Sequence, residues 1–172
     1  MVVVVMGVAG SGKTTVGRML ADKLAWEFVD GDDFHSSANK EKMRRGIPLT
    51  DADRQPWLEA LRGVVLDWLQ RGSDGVLACS ALKRSYRDRL RAGEDVRFIY
   101  LKGDDEVLEQ RLRGRAGHFA GPDLLASQLE RLEEPSELEA VTIAGALPPE
   151  AIVEQIISSL GPDRRSKSEQ PH

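Results

Sequence analysis

Residues 7–14 read Gly7-Val8-Ala9-Gly10-Ser11-Gly12-Lys13-Thr14, a complete phosphate-binding loop of the form G-x-x-x-x-G-K-[ST], and its flanks dictate the local architecture. Before it, Val2-Val3-Val4-Val5-Met6 is apolar throughout and mostly β-branched, the composition of a strand buried on both faces. After it, Val16, Met19, Leu20 and Leu24 recur at helical spacing. The loop therefore joins a strand to a helix, where backbone N–H groups and the positive end of the helix dipole face an incoming polyphosphate. Lys13 is expected to carry its charge to the β- and γ-phosphates and the Thr14 hydroxyl to ligate Mg²⁺. Gly7, Ala9, Gly10, Ser11, Gly12 and Thr15 complete the nucleotide-binding set, so the expected ligand is ATP or another nucleoside triphosphate.

The rest of the chain alternates strand and helix patterns. Trp26–Asp30 reads as a second strand, Gly75–Ala81 as a third, Val96–Leu101 as a fourth and Ala140–Ile143 as a short fifth. Asn39–Arg45 suits a short helix, followed by a turn at Gly46-Ile47-Pro48. Thr50 or Asp51 can cap a long helix whose apolar side is Trp57, Leu58, Leu61, Val64, Val65, Trp68 and Leu69. Further helices are expected over Lys83–Arg91, Asp104–Arg113, Pro122–Leu132 and Pro149–Leu160. This alternation predicts an α/β fold of three layers, with a five-stranded parallel sheet and helices on both faces. The 172 residues suit one domain, over 1–160, with polar flaps at about 33–56 and 113–122. The polar tail 161–172 is expected to be disordered.

Composition excludes several function classes. The 24 basic and 28 acidic residues leave a net charge of −4, which argues against a nucleic-acid partner. No apolar run approaches the roughly 20 residues a membrane span requires. The apolar opening passes directly into the phosphate loop and reads as a strand, not a signal peptide. One cysteine, Cys79, lies within an apolar run, where a buried structural thiol in a reducing cytoplasm is the expectation.

Ligands in parallel sheets sit at the carboxyl ends of the strands, which directs attention to the phosphate loop, Asp30 to Asp33, and Ser80 to Lys83. Carboxylates opposite a phosphate loop can orient Mg²⁺ or its waters, or accept a proton from an attacking hydroxyl. Asp30 and Asp32 flank Gly31, which can turn the chain so that both converge on a cleft. Ser80 stands where many phosphate-loop proteins carry a metal-orienting aspartate. It can bond a metal-bound water or cap the next helix. Arg111, Arg113 and Arg115 precede Gly117-His118-Phe119, and with the glycines they suit a mobile lid that neutralises developing charge. Arg115, beside the glycines, is the stronger candidate for phosphate contact, and Arg113 suits a solvated helix face.

Taken together, these strings resemble the gluconate kinases, within the shikimate-kinase-like group of phosphate-loop enzymes. The resemblance is carried by Asp30-Gly31-Asp32-x-x-His35, by Asp53-Arg54-x-Pro56-Trp57-Leu58 and by Cys79-Ser80-Ala81-Leu82-Lys83-x-x-Tyr86-Arg87. It continues through Phe98-Ile99-Tyr100-Leu101-Lys102-Gly103, Arg115-x-Gly117-His118-Phe119 and Gln128-Leu129-Glu130, and so covers nearly the whole chain. It implies ATP-dependent phosphorylation of D-gluconate at its 6-hydroxyl, in a homodimer. By position it makes Asp32 the base and Asp30 the metal partner, a division that could be reversed. Arg54 matches the arginine that holds the substrate carboxylate in shikimate kinases. Lys83 and Arg87 are implied to line the same pocket, His35 and Gln128 to bond polyol hydroxyls, Arg111 to lie near adenine, and Arg115 to be the lid arginine. The insert 33–56 is implied to bind substrate. Rival expectations are a kinase for another polyol acid, shikimate or a nucleotide, and a nucleotide-sensing protein without turnover.

Overall fold

A computed structural model of the chain describes residues 1–113 and 122–161. Five parallel strands, β1 (Val2–Met6), β2 (Glu27–Asp30), β3 (Gly75–Ala78), β4 (Val96–Lys102) and β5 (Val141–Ala144), form one sheet in the order β2-β3-β1-β4-β5. Val5 pairs with Ala78 and with Ile99, and Ala78 pairs in turn with Asp30. That register aligns the carboxyl ends of the central strands along one edge, so the residues after β1, β2 and β3 meet there.

The valine run is explained by its place in the middle of the sheet. Val2, Val4 and Met6 face a core made with Trp57, Leu58, Leu61, Val65 and Trp68 of α3 (Asp51–Arg71) and Tyr86 and Leu90 of α4 (Arg84–Leu90). Val3 and Val5 point the other way, to Val16 and Leu20 of α1 (Lys13–Leu24) and Ile152, Val153 and Ile156 of α7 (Pro149–Leu160). All five side chains of β1 are fully buried. At about 2 kcal/mol each, they contribute roughly 10 kcal/mol of burial as an upper value. A third, smaller cluster joins Val8 and Leu82 to Leu108 and Leu112 of α5 (Asp105–Arg113) and Leu125 of α6 (Pro122–Arg131). It packs α5 and α6 directly beneath the phosphate loop.

Four local details differ from the sequence expectation or resolve it. Thr50, not Asp51, caps α3: its hydroxyl accepts from Asp53 N while the Asp53 carboxylate accepts from Thr50 N, a reciprocal box. The strand expected to reach Ala81 leaves the ladder after Ala78, and Ala81 adopts a φ of +43°. The resulting bend turns Ser80 toward the cleft. Gly31–Phe34 forms a single 3₁₀ turn, closed by the Asp30 carboxylate accepting from Asp32 N at 3.0 Å. The short helix expected near Asn39 is α2 (Ser37–Arg44), capped by Ser36.

Candidate active site

Two cavities meet at the phosphate loop. The first, of about 340 Å³, is walled by Gly10, Ser11, Gly12 and Thr15 of the loop and by Arg111, with Gly145, Leu147 and Pro149 after β5. The second, of about 450 Å³, takes Ala9 and Lys13 from the same loop and Asp32, His35, Lys40, Arg54, Ser80 and Gln128 from the elements opposite. Ala9 and Lys13 are therefore the loop residues that look toward the second cleft. A group passing from one cavity to the other crosses beside them.

The loop itself is tightly constrained. Gly7 has a φ of +150°, and a Cβ there would stand 2.7 Å from Ser11 Oγ and 2.9 Å from the Leu101 carbonyl, so only glycine fits. At Gly12 the equivalent space is open, on the side that faces the nucleotide cavity. Lys13 Nζ donates to Val8 O at 2.9 Å, curling over the loop in which it would meet phosphate. Arg111 lines the nucleotide cavity and reaches Gly10 O at 3.4 Å. Arg113 pairs with Glu109 on its own helix at 3.0 Å, the solvated role expected of it. Arg115 and most of the expected lid lie outside the described residues, as does most of the tail.

The acidic pair separates by contact. Thr14 Oγ1 donates to Asp30 Oδ2 at 2.7 Å, which sets a hydroxyl and a carboxylate side by side at the mouth of the loop. Such hard oxygen donors suit Mg²⁺, which usually keeps waters and phosphate oxygens as its other ligands. No cluster of three or more acidic, histidine or cysteine side chains able to enclose a metal occurs among the described residues. A cation held mainly through phosphates is consistent with that. Asp32 instead faces the second cleft. Its surface is open to water, yet the surrounding protein mass raises its carboxyl above the ordinary range. Asp30 and Asp33 add to the rise, against the opposing pull of Lys13 and Lys40.

The 3₁₀ turn carrying Asp32 is held from α3. Trp57 Nε1 donates to Gly31 O at 2.7 Å, and the same indole stacks on His35 with ring centroids 4.5 Å apart and planes 9° from parallel. A Cβ on Gly31 would approach the Ala78 carbonyl to 2.8 Å, so the turn lies directly against β3. His35 is buried, and its Nδ1 has no hydrogen-bond partner among the described residues. Burial lowers its pKa to about 4, with Arg54 and Lys40 acting in the same direction, so the imidazole is neutral at pH 7.

Arg54 is buried at the far wall and donates to Leu49 O at 2.7 Å. Arg131, from α6, donates to that same oxygen. Neither guanidinium forms an ion pair among the described residues. Two cations converging on one neutral carbonyl make a site poised for an anion, because the like charges repel until one arrives. Gln128, also on α6, accepts from Ala9 N at 2.7 Å through Oε1.

Two expected pocket residues are placed elsewhere. Arg87 is 1% exposed, and its guanidinium donates to the carbonyls of Ala81 at 3.2 Å, Leu82 at 3.3 Å and Glu133 at 2.9 Å, and to Glu139. It braces the bend after β3 from behind, and this corrects the expectation that it lines the substrate pocket. Lys83 forms a two-pronged ion pair with Asp51 at 2.8 and 2.9 Å, shared with the Tyr86 hydroxyl, and is absent from the cleft wall. Burial pushes the Cys79 thiol up to about 12, so it is the inert core group expected.

Sequence reasoning missed Lys40, Trp57 and Arg131, as well as the loop Gly145–Pro149. Trp57 looked like one more apolar residue at helical spacing. Arg131 meets Leu49 across 82 positions of sequence, which no local pattern reveals.

Comparisons with known proteins identify the family. A protein-family model described as an AAA domain matches residues 2–135. The gluconokinase of Gluconobacter oxydans (strain 621H) is 46% identical over 157 residues, 90% of this chain and 88% of that protein. The unliganded crystal structure of a sugar kinase from Janibacter sp. HTCC2649 superposes with a TM-score of 0.87 at 45% identity, over 92% of this chain and 93% of that one. A gluconokinase structure from Sinorhizobium meliloti 1021 gives 0.81 at 44% identity, over 92% and 90%. The chain belongs to the gluconokinase family.

Proposed function

We propose that this protein transfers the γ-phosphoryl group of ATP to the 6-hydroxyl of D-gluconate, giving 6-phospho-D-gluconate and ADP. The observation that carries the reading is the meeting of Lys13 and Asp32 at the seam of two cavities. One is built on the phosphate loop; the other is lined by a neutral imidazole and a buried arginine. The second cleft lies within the roughly 300–1,000 Å³ usual for small-molecule sites.

In this reading Arg54 and Arg131 take the gluconate carboxylate in place of Leu49 O, and neutral His35 and Gln128 bond its hydroxyls. The 6-hydroxyl then lies against Asp32. Oxygen 6 forms a bond to the γ-phosphorus, the bond to the β-phosphate oxygen breaks, and the proton passes from oxygen 6 to the Asp32 carboxylate. The raised pKa of Asp32 makes it a better late proton acceptor than an ordinary aspartate. Lys13 and the loop N–H groups hold the β- and γ-phosphates, and Arg111 lies beside the adenine. Thr14 and Asp30 would hold Mg²⁺, whose charge offsets that of the phosphates. Arg115 is assigned to the transferring phosphoryl on the family resemblance alone. The same resemblance supports a homodimer, and a single buried free thiol supports a cytoplasmic setting. No helix among the described residues is long and apolar enough to cross a membrane.

The test is a substrate panel in which ADP release is followed with gluconate, shikimate and nucleoside monophosphates as acceptors. Turnover with gluconate, with 6-phosphogluconate identified by mass, is expected. Turnover confined to another acceptor would overturn the assignment.

A further inference from the structure

Among the described residues, Gln128 is the one cleft side chain on α6 that is hydrogen-bonded to the phosphate loop. Its Oε1 accepts from Ala9 N at 2.7 Å across 119 positions of sequence. This bond also settles the orientation of the carboxamide: with oxygen on the loop N–H, the remaining group is an NH₂ that can only donate. That NH₂ makes no hydrogen bond among the described residues, and the side chain lines the acceptor cleft with Asp32, His35 and Arg54. The backbone beneath is equally committed to the loop. Leu125, one turn earlier, is buried in the cluster with Val8, and Ala9 and Leu129 pack against it. Helix α6 thus grips the acceptor-facing lip of the loop through apolar contact and through one side chain.

We propose that Gln128 couples the two sites, so that nucleotide in the loop and polyol acid in the cleft each tighten the binding of the other. The inference rests on the acceptor reading of the cleft given above. A glutamine side chain loses considerable rotamer freedom when fixed. Here one carboxamide serves both ligands: phosphate in the loop steadies Ala9 and hence Oε1, and an acceptor oxygen engages the NH₂. Whichever ligand binds first orders the shared group, and the second binds to a side chain already ordered. Such linkage is reciprocal by thermodynamic necessity.

The experiment is calorimetric titration of the full chain with gluconate, alone and with saturating Mg²⁺ and a non-hydrolysable ATP analogue. The same ratio is then read from the analogue's affinity with and without gluconate. The wild-type chain should bind gluconate about 5-fold more tightly, or better, in the presence of the analogue. In Gln128→Met, near in size but without donor or strong acceptor, the ratio should fall to about 1 whatever the absolute affinities. Gln128→Glu retains an acceptor for Ala9 N but has no donor for the cleft, and should lose the coupling too. A wild-type chain that turns over gluconate yet shows equal affinity in both states overturns the coupling alone, as does full tightening in either variant. A wild-type chain that binds no gluconate in either state overturns the acceptor reading and the coupling with it.

Discussion

Replacing Arg87 by Met separates a residue that builds the cleft from one that binds in it. The guanidinium is fully buried, donates to three backbone carbonyls and pairs with Glu139 at 3.2 Å. Methionine fills much of the volume but leaves Ala81 O, Leu82 O and Glu133 O without those donors. Breaking a buried ion pair by removing one partner typically costs about 3–5 kcal/mol. The lower end applies here, because Glu139 is 20% exposed and still accepts from Ser136 N at 3.0 Å. A loss of about 3 kcal/mol in a chain of this length lowers the melting temperature by roughly 6–12 °C. A typical domain stability of about 5–15 kcal/mol leaves the variant folded at room temperature. Calorimetric melting gives the first quantity, and steady-state kinetics at 20 °C give the second. The gluconate KM should stay within about twofold, because no donor of Arg87 faces the cleft. A variant that melts within about 2 °C of the parent while its gluconate KM rises tenfold would show that the guanidinium reaches substrate, and the structural assignment would fail.

Asp32→Asn retains shape and loses the proton acceptor, and kcat should drop by about 10²–10⁴-fold with Mg²⁺ dependence nearly unchanged. Asp30→Asn should instead shift the Mg²⁺ dependence, since Asp30 bonds Thr14; kinetics of both variants over a Mg²⁺ series decide, and the opposite pattern reverses the two roles. Arg54→Lys preserves charge without the planar fork, so gluconate KM should rise while ATP affinity barely moves; a selective loss of ATP affinity would assign Arg54 to the nucleotide side. His35 should make stability depend on pH. Its folded pKa, about 4, lies below the usual 6.5, so the unfolded chain binds the proton more tightly and stability falls as pH drops from 6.5 toward 4. The loss is at most about 3 kcal/mol, less for screening by water in the open cleft. Urea titrations at pH 4.5, 5.5 and 7 should show that slope in the parent and a flatter one in His35→Gln; parallel slopes would mean that His35 is not held neutral.

The loop, the five strands and their order of alternation with helices were legible in the sequence because each depends on near neighbours. A phosphate loop is eight consecutive residues, and a doubly buried strand needs only an unbroken apolar run such as Val2–Met6. Asp30 and Asp32 were legible as candidates for a related reason: they stand at the end of β2 and just past it, and a parallel sheet brings strand ends together whatever lies between. Only the tertiary structure could decide among the arginines. Arg54, Arg87 and Arg131 carry the same charge and the same fork, and nothing adjacent to them in sequence tells a pocket from a brace. Arg87 is a brace because the bend after β3 and the segment following α6 close around it. Arg131 reaches the rim of the cleft because α6 brings it to the carbonyl of Leu49, which lines that cleft. A guanidinium binds whatever oxygen the fold presents within about 3 Å, and for Arg87 and Arg131 the deciding partners, Glu133 and Leu49, lie 46 and 82 positions away, where the periodicities that reveal helices and strands carry no information.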